Sequence, residues 1–332
     1  MRLALRLLLL IVLAAAGAAI AGWVVAHGPL RVKDGAALVT VPSGTGLRAI
    51  ADRVEAAGVD IPAWQLALLG RIRAVHRRVH AGTYRVTDGT TPWQLLDMLA
   101  RGDVVTVRVT LVEGLTLREL RAQLDARDDL AHDSRGLDEA ALAAALGTTP
   151  PLEGRLLPET YVVGLGASDL EVLRAAHAAL NAALADAWAG RDPRLAVETP
   201  AQLLVLASIV EKETGRAEDR PRIASVFANR LRIGMPLQSD PTVIYGMGQR
   251  FDGNLRRVDL ESDTPWNTYT RGGLPPTPIA MPGRASLLAV ANPPAGDDLY
   301  FVARGDGTSE FSPSLQAHNR AVNKFQRGGK GG

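Results

Sequence analysis

The stretch QLLVLASIVEKETG, residues 202–215, carries an apolar run straight into a carboxylate, Glu211. A glutamate loses hydration when buried and is seldom placed so without a partner or a purpose. Helical spacing puts Leu204, Ala207, Ser208 and Glu211 on one face, three or four residues apart. Lys212 and Glu213 project elsewhere, and Glu213 is expected in solvent. An apolar face and the negative end of a helix dipole both favour the neutral carboxyl, a group that can serve as a general acid. The competing expectation is a helix-terminal glutamate that reaches water, since perturbed carboxylates also occur in structural networks.

Other chemistries lack their residues. The chain has no cysteine, which removes thiol nucleophiles, disulfides and zinc–thiolate sites. There is no G-x-S-x-G elbow, no S-x-x-K and no H-E-x-x-H. The six histidines (27, 76, 80, 132, 177 and 318) show no metal-ligand spacing. Neither a metal nor a cofactor is expected, and carboxylate chemistry remains. Gln238, Ser239, Asp240, Thr242, Tyr245, Asn267, Thr268 and Tyr269 supply amide, hydroxyl and aromatic groups downstream. Such groups suit an extended sugar, which needs planar hydrogen-bond partners and an apolar face to stack on. Each has a structural alternative. Asp240 reads as the N-cap of a helix starting at Pro241, Asn267 as a turn residue and Tyr245 as core. The loop LEGRLLPETY, residues 152–161, adds Glu153 and Glu159.

These residues need elements to hold them. Helices are expected over 137–146, 170–189, 200–213, 222–232 and 284–291, with a polar hairpin-like run to Asp263 and a strand at LYFVAR. Upstream, three units repeat a strand, a Gly-containing turn, a Thr and an amphipathic helix, at 38–54, 83–99 and 107–124. The second and third carry capping boxes, Thr91 with Gln94 and Thr116 with Glu119. Glu113–Gly114 reads as a polar turn. A second helix at 62–74 gives a β-α-α-β order that resembles a LysM domain, a small binder of N-acetylglucosamine-containing chains.

The 332 residues are 47% hydrophobic and 22% charged, enough for two folded domains. Net charge is +2 with acids and bases interleaved, so no basic face for nucleic acid is expected. After Arg2 and Arg6, residues 7–26 carry no charge. Twenty helical residues span about 30 Å, the hydrocarbon thickness of a bilayer. The flanking arginines favour a cytoplasmic N-terminus, and Trp23 suits the far interface. A cleaved signal peptide is the alternative, though secretory apolar cores are usually shorter.

Five ordered blocks carry a family resemblance: ASIVEKETG, VFANRLRIGMPLQSDPTVIYG, NTYTRGGLPP, LYFVARGDG and HNRAV. They are similar to the MltG (YceG-like) endolytic murein transglycosylases, and the likeness extends over nearly the whole chain. It implies an α+β protein with a single N-terminal transmembrane helix, a small LysM-like βααβ module and a larger α+β catalytic domain. The boundaries expected are a cytoplasmic 1–6, a span at 7–26, a linker at 27–37, the module at 38–103, the catalytic domain at 104–326 and a tail at 327–332. The resemblance implies that Glu211 is the catalytic acid/base. The substrate-binding set is then Glu153, Gln238, Ser239, Asp240, Thr242, Tyr245, Asn267 and Tyr269. It further implies cleavage between MurNAc and GlcNAc inside nascent peptidoglycan strands. The chain would sit in the inner membrane through residues 7–26, with its bulk in the periplasm and peptidoglycan synthases as partners. Thr277, Met281, Thr308–Ser309 and Ala317 depart from the family pattern and bear on the rim of the site. Two rival readings stand beside this one. One is a non-catalytic LysM-type tether. The other is a glycan hydrolase using Glu211 as acid and Asp240, Glu153 or Glu159 as base.

Overall fold

The computed structural model describes residues 2–327. Met1 and residues 328–332 lie outside the described residues, and with them nearly all of the expected tail. The chain forms two compact units. One runs to residue 107 and takes in 129–131 and 162–167; the other holds the remainder.

The first unit begins with helix α1 (Arg2–His27). Its stretch Leu5–His27 is long and apolar enough to cross a membrane, and its side chains are exposed except for Ala26. The unit's core is built by β1 (Ala36–Val41), α2 (Leu47–Ala56), α3 (Ala63–Ile72), β2 (Gly82–Thr87) and α4 (Pro92–Arg101). β1 and β2 pair antiparallel, from Ala36 opposite Thr87 to Val41 opposite Gly82. Strand alternation turns Ala37, Val39 and Val41 inward. α4 starts where its sequence says, with the Thr91–Gln94 capping box formed and Pro92 in the first turn. The β-α-α-β order is therefore present. The expected linker is not: Leu30 and Val32 are buried, and Val32 bridges Val59. Residues 27–37 instead lock the end of α1 to the unit. Ala26 is buried, and the His27 ring stacks on Trp23 and Trp93 at 4.8 and 5.5 Å. A short apolar sequence after the helix, with Gly89 N–H and Thr90 C=O as backbone partners of Leu30, produces this docking.

β3 (Thr106–Thr110) and β4 (Thr160–Gly164) form a second two-stranded sheet, on the segments where the chain passes between units. The second unit is mostly helical. It contains α5 (Leu117–Asp125), α6 (Glu139–Ala145), α7 (Asp169–Ala189), α8 (Pro200–Glu213), α9 (Arg220–Arg232), α10 (Asp240–Met247), α11 (Arg257–Glu261), α12 (Arg284–Ala291) and α13 (Leu315–Val322), with the antiparallel pair β5 (Tyr300–Ala303) and β6 (Ser309–Ser312). The hairpin-like run expected before Asp263 holds no strand; α10 and α11 occupy it. Polar turn residues there cap short helices, which local pattern does not distinguish from a hairpin.

α8 is the axis of this unit. Thr199 caps it by accepting from Gln202 N–H, and Pro200 opens its first turn. Every residue from 203 to 210 is buried, so the helix is enclosed on all sides by α7, α9, α10 and α12. Ser208 is the polar exception inside it. Its hydroxyl donates to Val205 C=O at 2.7 Å and accepts from Ile279 N–H at 3.0 Å, tying the 277–283 segment to α8. Ser208→Ala leaves a buried N–H without a partner. A loss of about 1–3 kcal/mol is expected, read as a lower denaturant midpoint; Ser208→Thr, which keeps the hydroxyl, should lose less unless its methyl group clashes.

Candidate functional site

Glu211 stands in the last turn of α8, and its side chain is 5% exposed. The apolar surroundings expected of it are only half the picture. Its Oε2 accepts from Gly283 N–H at 2.9 Å and from Ser286 Oγ–H at 2.7 Å. Gly283 is the N-cap of α12, so the positive end of that helix meets the negative end of α8 at this carboxyl. Arg220, in the first turn of α9, lies 3.6 Å from Oε1, itself buried and with its Nε unpartnered. Three helices thus converge on one carboxyl group.

A loop completes the setting. Residues 111–116 run beside the C-terminal turn of α8. Met281 C=O accepts from Gly114 N–H at 2.9 Å, and Met281 N–H donates to Leu115 C=O at 2.8 Å. Lys212 Nζ donates to Gly114 C=O at 3.0 Å. Gly114 has a φ of +75°, a left-handed conformation that glycine takes without strain. The turn aims Glu113 at Gly283: a Cβ added to that glycine would lie 1.9 Å from Glu113 Oε1. Burial and the charge of Glu211 push the Glu113 carboxyl up from its ordinary value, while Arg220 opposes them. Glu113, read from sequence as a polar turn, is a second acid beside Glu211. Glu113, Arg220, Gly283 and Ser286 were not legible as site residues. The signal available for Glu113 was a carboxylate next to a glycine just ahead of the Thr116 capping box.

The expected binding residues fall into two groups. Glu153 and Tyr245 belong to a cleft of about 950 Å³, lined also by Trp266, Lys212, Arg118 and Phe251. Glu153 is 7% exposed and accepts from Leu117 N–H at 2.9 Å and from Tyr245 O–H at 3.2 Å. Burial pushes its carboxyl up to about 7 against those donors. Tyr245 packs edge-on to Trp266, whose indole N–H donates to Thr277 Oγ at 2.9 Å. The cleft thus sets the aromatic pair beside charged side chains, Arg118, Glu153 and Lys212.

The second group braces the start of α10 and the segment from residue 260 to 269. Thr242 and Asn267 have no exposed surface. Thr242 Oγ donates to Ser239 C=O at 2.6 Å, and the Asn267 amide donates to Leu260 and Ser262 C=O. These two are loop braces, as the turn reading of Asn267 anticipates. Ser239 is buried and donates to Glu213 Oε1 at 2.5 Å. Glu213 is accordingly not in solvent: it is partly buried, and burial pushes it up to about 7. Ser239, not Asp240, is the N-cap of α10; Asp240 accepts from Tyr269 O–H at 2.5 Å. Gln238 is exposed with a φ of +49° and donates its N–H to Thr268 C=O. Glu159 pairs with Arg284 at 2.6 Å.

Comparison with known proteins bears on this arrangement. A model of the YceG-like family matches residues 39–324. The chain belongs to the YceG-like family. A Bacillus subtilis protein named endolytic murein transglycosylase is 40% identical over 175 residues, which is 53% of this chain and 48% of that protein. A Streptococcus pneumoniae protein of the same name is 27% identical over 320 residues, 86% of this chain and 57% of that protein. The chain spans about half the length of these curated relatives. The crystal structure of a yceG-like protein from Listeria monocytogenes matches with a TM-score of 0.54 and 27% identity, covering 87% of this chain and 99% of that one.

Two departures from the YceG-like pattern have a structural place. Met281 has no exposed surface and joins the Glu113 loop through its backbone, so it faces the core and not a substrate rim. Thr277 holds Trp266. A group of one histidine and two aspartates that spacing did not suggest also exists: ligand atoms of Asp125, His132 and Asp169 lie within 4.8 Å of one another. Asp125 pairs with Arg135 and Asp169 accepts from Ser134 N–H and Oγ–H, so two of the three are already engaged.

The raised carboxyls give the YceG-like unit a pH-dependent stability. Glu153 and Glu213 stand near 7 when folded, against an ordinary 4.5. A raised carboxyl stabilises fully below its unfolded value, and that contribution fades as pH climbs through the folded value. Stability should therefore fall between about pH 4.5 and about 7, with Glu153 contributing up to about 3 kcal/mol of the change. Glu153→Gln and Glu213→Gln should each remove part of the slope, and the double variant should flatten it. Denaturant midpoints across this range are the measurement; a slope equally steep in the double variant contradicts the assignment.

Proposed function

We propose that this chain is a membrane-anchored endolytic murein transglycosylase. It cuts the bond between MurNAc and GlcNAc within peptidoglycan strands and leaves a 1,6-anhydro-MurNAc end, with Glu211 as acid and base. The observation that carries the reading is the Glu211 carboxyl itself. It is nearly enclosed at the meeting point of α8, α9 and α12, and it lies in one of the five sequence blocks that carry the family resemblance. The names of the B. subtilis and S. pneumoniae relatives support the same reaction.

One carboxyl suffices because no water enters the reaction. The C6 hydroxyl of MurNAc attacks its own anomeric carbon; the C1–O4 bond breaks as the C1–O6 bond forms. Glu211 gives a proton to the departing GlcNAc oxygen and takes one from the C6 hydroxyl, so the carboxyl is restored at each turnover. The attacking group is tethered to the reacting sugar, which removes much of the entropic barrier. The Tyr245–Trp266 pair and Glu153 supply a stacking face and a polar edge for the strand. A hydrolase would need a separate base. Of the residues considered for that role, Asp240 is bonded to Tyr269 and Glu159 to Arg284.

Within this reading α1 is a retained anchor. Ala26 is part of the first unit's core and Trp23 stacks on His27, so removal of the segment would strip packing from a folded module. The bulk lies in the periplasm, where the βααβ module binds glycan in the manner of LysM domains. Cutting close to the membrane limits strand elongation by neighbouring synthases.

Two measurements test this. Glu211→Gln keeps the shape and loses the transferable proton. Incubated with uncrosslinked glycan strands, it should form anhydro ends at least about a hundredfold more slowly than the unaltered protein while melting normally. A variant still forming them at a tenth of the normal rate refutes the assignment. N-terminal sequencing of membrane-extracted protein should find α1 intact; a mature chain beginning between about residue 16 and about residue 27 refutes the anchor.

A further inference from the structure

The donors around Glu211 raise a difficulty. Gly283 N–H and Ser286 O–H donate to one oxygen of that carboxyl, and the Arg220 guanidinium stands 3.6 Å from the other. They suit a base and oppose an acid, yet the proposed reaction needs one group to be both. Glu113 resolves it. We propose that Glu113 is a positioning residue for Glu211: its carboxyl, set against Gly283 beside that of Glu211, opposes loss of the proton that Glu211 delivers to the glycosidic oxygen. The inference rests on the reading of Glu211 given above.

The geometry is built for such a pair. Gly283 is the hinge point, with its N–H on Glu211 Oε2 and the missing side chain occupied by Glu113 Oε1. That shared residue keeps the carboxyls within roughly 7 Å of each other. The Glu113 turn cannot drift, because Gly114 and Leu115 are bonded to Met281 and Lys212 is bonded to Gly114. Nothing in this fixation satisfies the Glu113 carboxyl; it fixes where the carboxyl points. Two carboxylates so close cannot both ionise cheaply, so their protons come off in two separate steps that belong to the pair. The charged groups acting on Glu113 are Glu211 from α8 and Arg220 from α9, with Gly283 at the start of α12 against its carboxyl. Arg220 supplies one positive charge against the two carboxyls. The burial that raises Glu113 acts in the same direction.

The proton count balances. The proton on the pair leaves through Glu211 to the GlcNAc O4 as the C1–O4 bond breaks. The C6 hydroxyl proton returns through Glu211 as the C1–O6 bond closes. Glu113 touches neither sugar; it keeps the pair from losing its proton as pH rises.

The test is a pH–rate profile with full-length protein in detergent micelles and uncrosslinked glycan strands, counting anhydro ends by mass. In Glu113→Gln the neighbouring negative charge is gone. The pH above which activity is lost should move acidic by about one unit or more, so that the rate falls tenfold near pH 8 and much less near pH 5.5. Gly283→Ala should do the same while leaving both carboxyls in place, because its methyl group must push Glu113 aside. Glu113→Asp should keep more of the alkaline limb than Glu113→Gln. A purely structural role predicts profiles lowered by one factor at all pH values, and that outcome overturns the proposal. Should Glu113→Gln not fold, an unshifted alkaline limb in Gly283→Ala overturns it. Glu211→Gln separates the two readings: activity retained there refutes the assignment of Glu211, whereas an inactive Glu211→Gln with an unshifted Glu113→Gln refutes this inference alone.

Discussion

The contact of Glu211 with the N-terminus of α12 is the constraint on which the second unit depends. α8 is buried on every side and so cannot end in a free carboxylate unless something receives it. The first turn of α12 is that receiver. Its N–H and Ser286 hydroxyl meet the carboxyl, and the dipoles of the two helices join head to tail through it. The interaction does structural and chemical work with the same atoms. Ser208, one turn earlier, anchors Ile279 and so fixes the approach of the 277–283 segment. Met281 then carries the Glu113 turn on its backbone. Remove the register of this segment and three features move together: the cap of α12, the neighbour of Glu211 and the wall held by Ile279 at the edge of the cleft.

The buried acids of this unit are not equivalent, and the differences follow from their partners. Glu153 has two donors and still stands near 7, because desolvation outweighs them. Glu213 has one strong donor, Ser239, with Asp240 close by adding to the rise. Glu113 has its burial and Glu211 against it and Arg220 for it. Exposed acids such as Asp192 and Asp263, each bonded to an arginine, go the other way, down to about 2. Acids that retain protons near neutrality are therefore concentrated around α8, where apolar packing excludes water.

Local patterns in the sequence were reliable where the physics is local. The capping boxes at Thr91 and Thr116 form as written, and α8 and α12 keep the limits that periodicity assigns. Glu211 was legible because an acid after a long apolar run is an anomaly in any helix. What failed depends on contacts distant in sequence. Glu213 reads as solvent-facing from its helical angle, but Ser239, 26 residues on, encloses it. Residues 27–37 read as a linker because nothing local says that Val32 meets Val59. Asn267 and Thr242 offer the groups a sugar needs, and the loop uses those same groups to hold itself. A polar side chain does not announce whether its partner is solvent, ligand or backbone.

Glu113 is the clearest case of this limit. A glutamate before a glycine is ordinary turn composition, and its significance arises only when residue 283 has no side chain. The glycine at 283 has a φ of −77°, which any residue adopts, so backbone conformation does not require glycine there. Space does: a Cβ there would lie 1.9 Å from the Glu113 carboxyl oxygen. A helix N-cap is a place where Ser, Thr, Asp or Asn would normally bring a capping oxygen of its own. At α12 the side chain is given up and two acids from elsewhere in the chain occupy the region instead, Glu211 on the N–H and Glu113 in the vacated volume. The acceptor at the start of this helix is thus supplied by Glu211 from a distant part of the chain, and the absence of a side chain at residue 283 leaves room for Glu113 beside it.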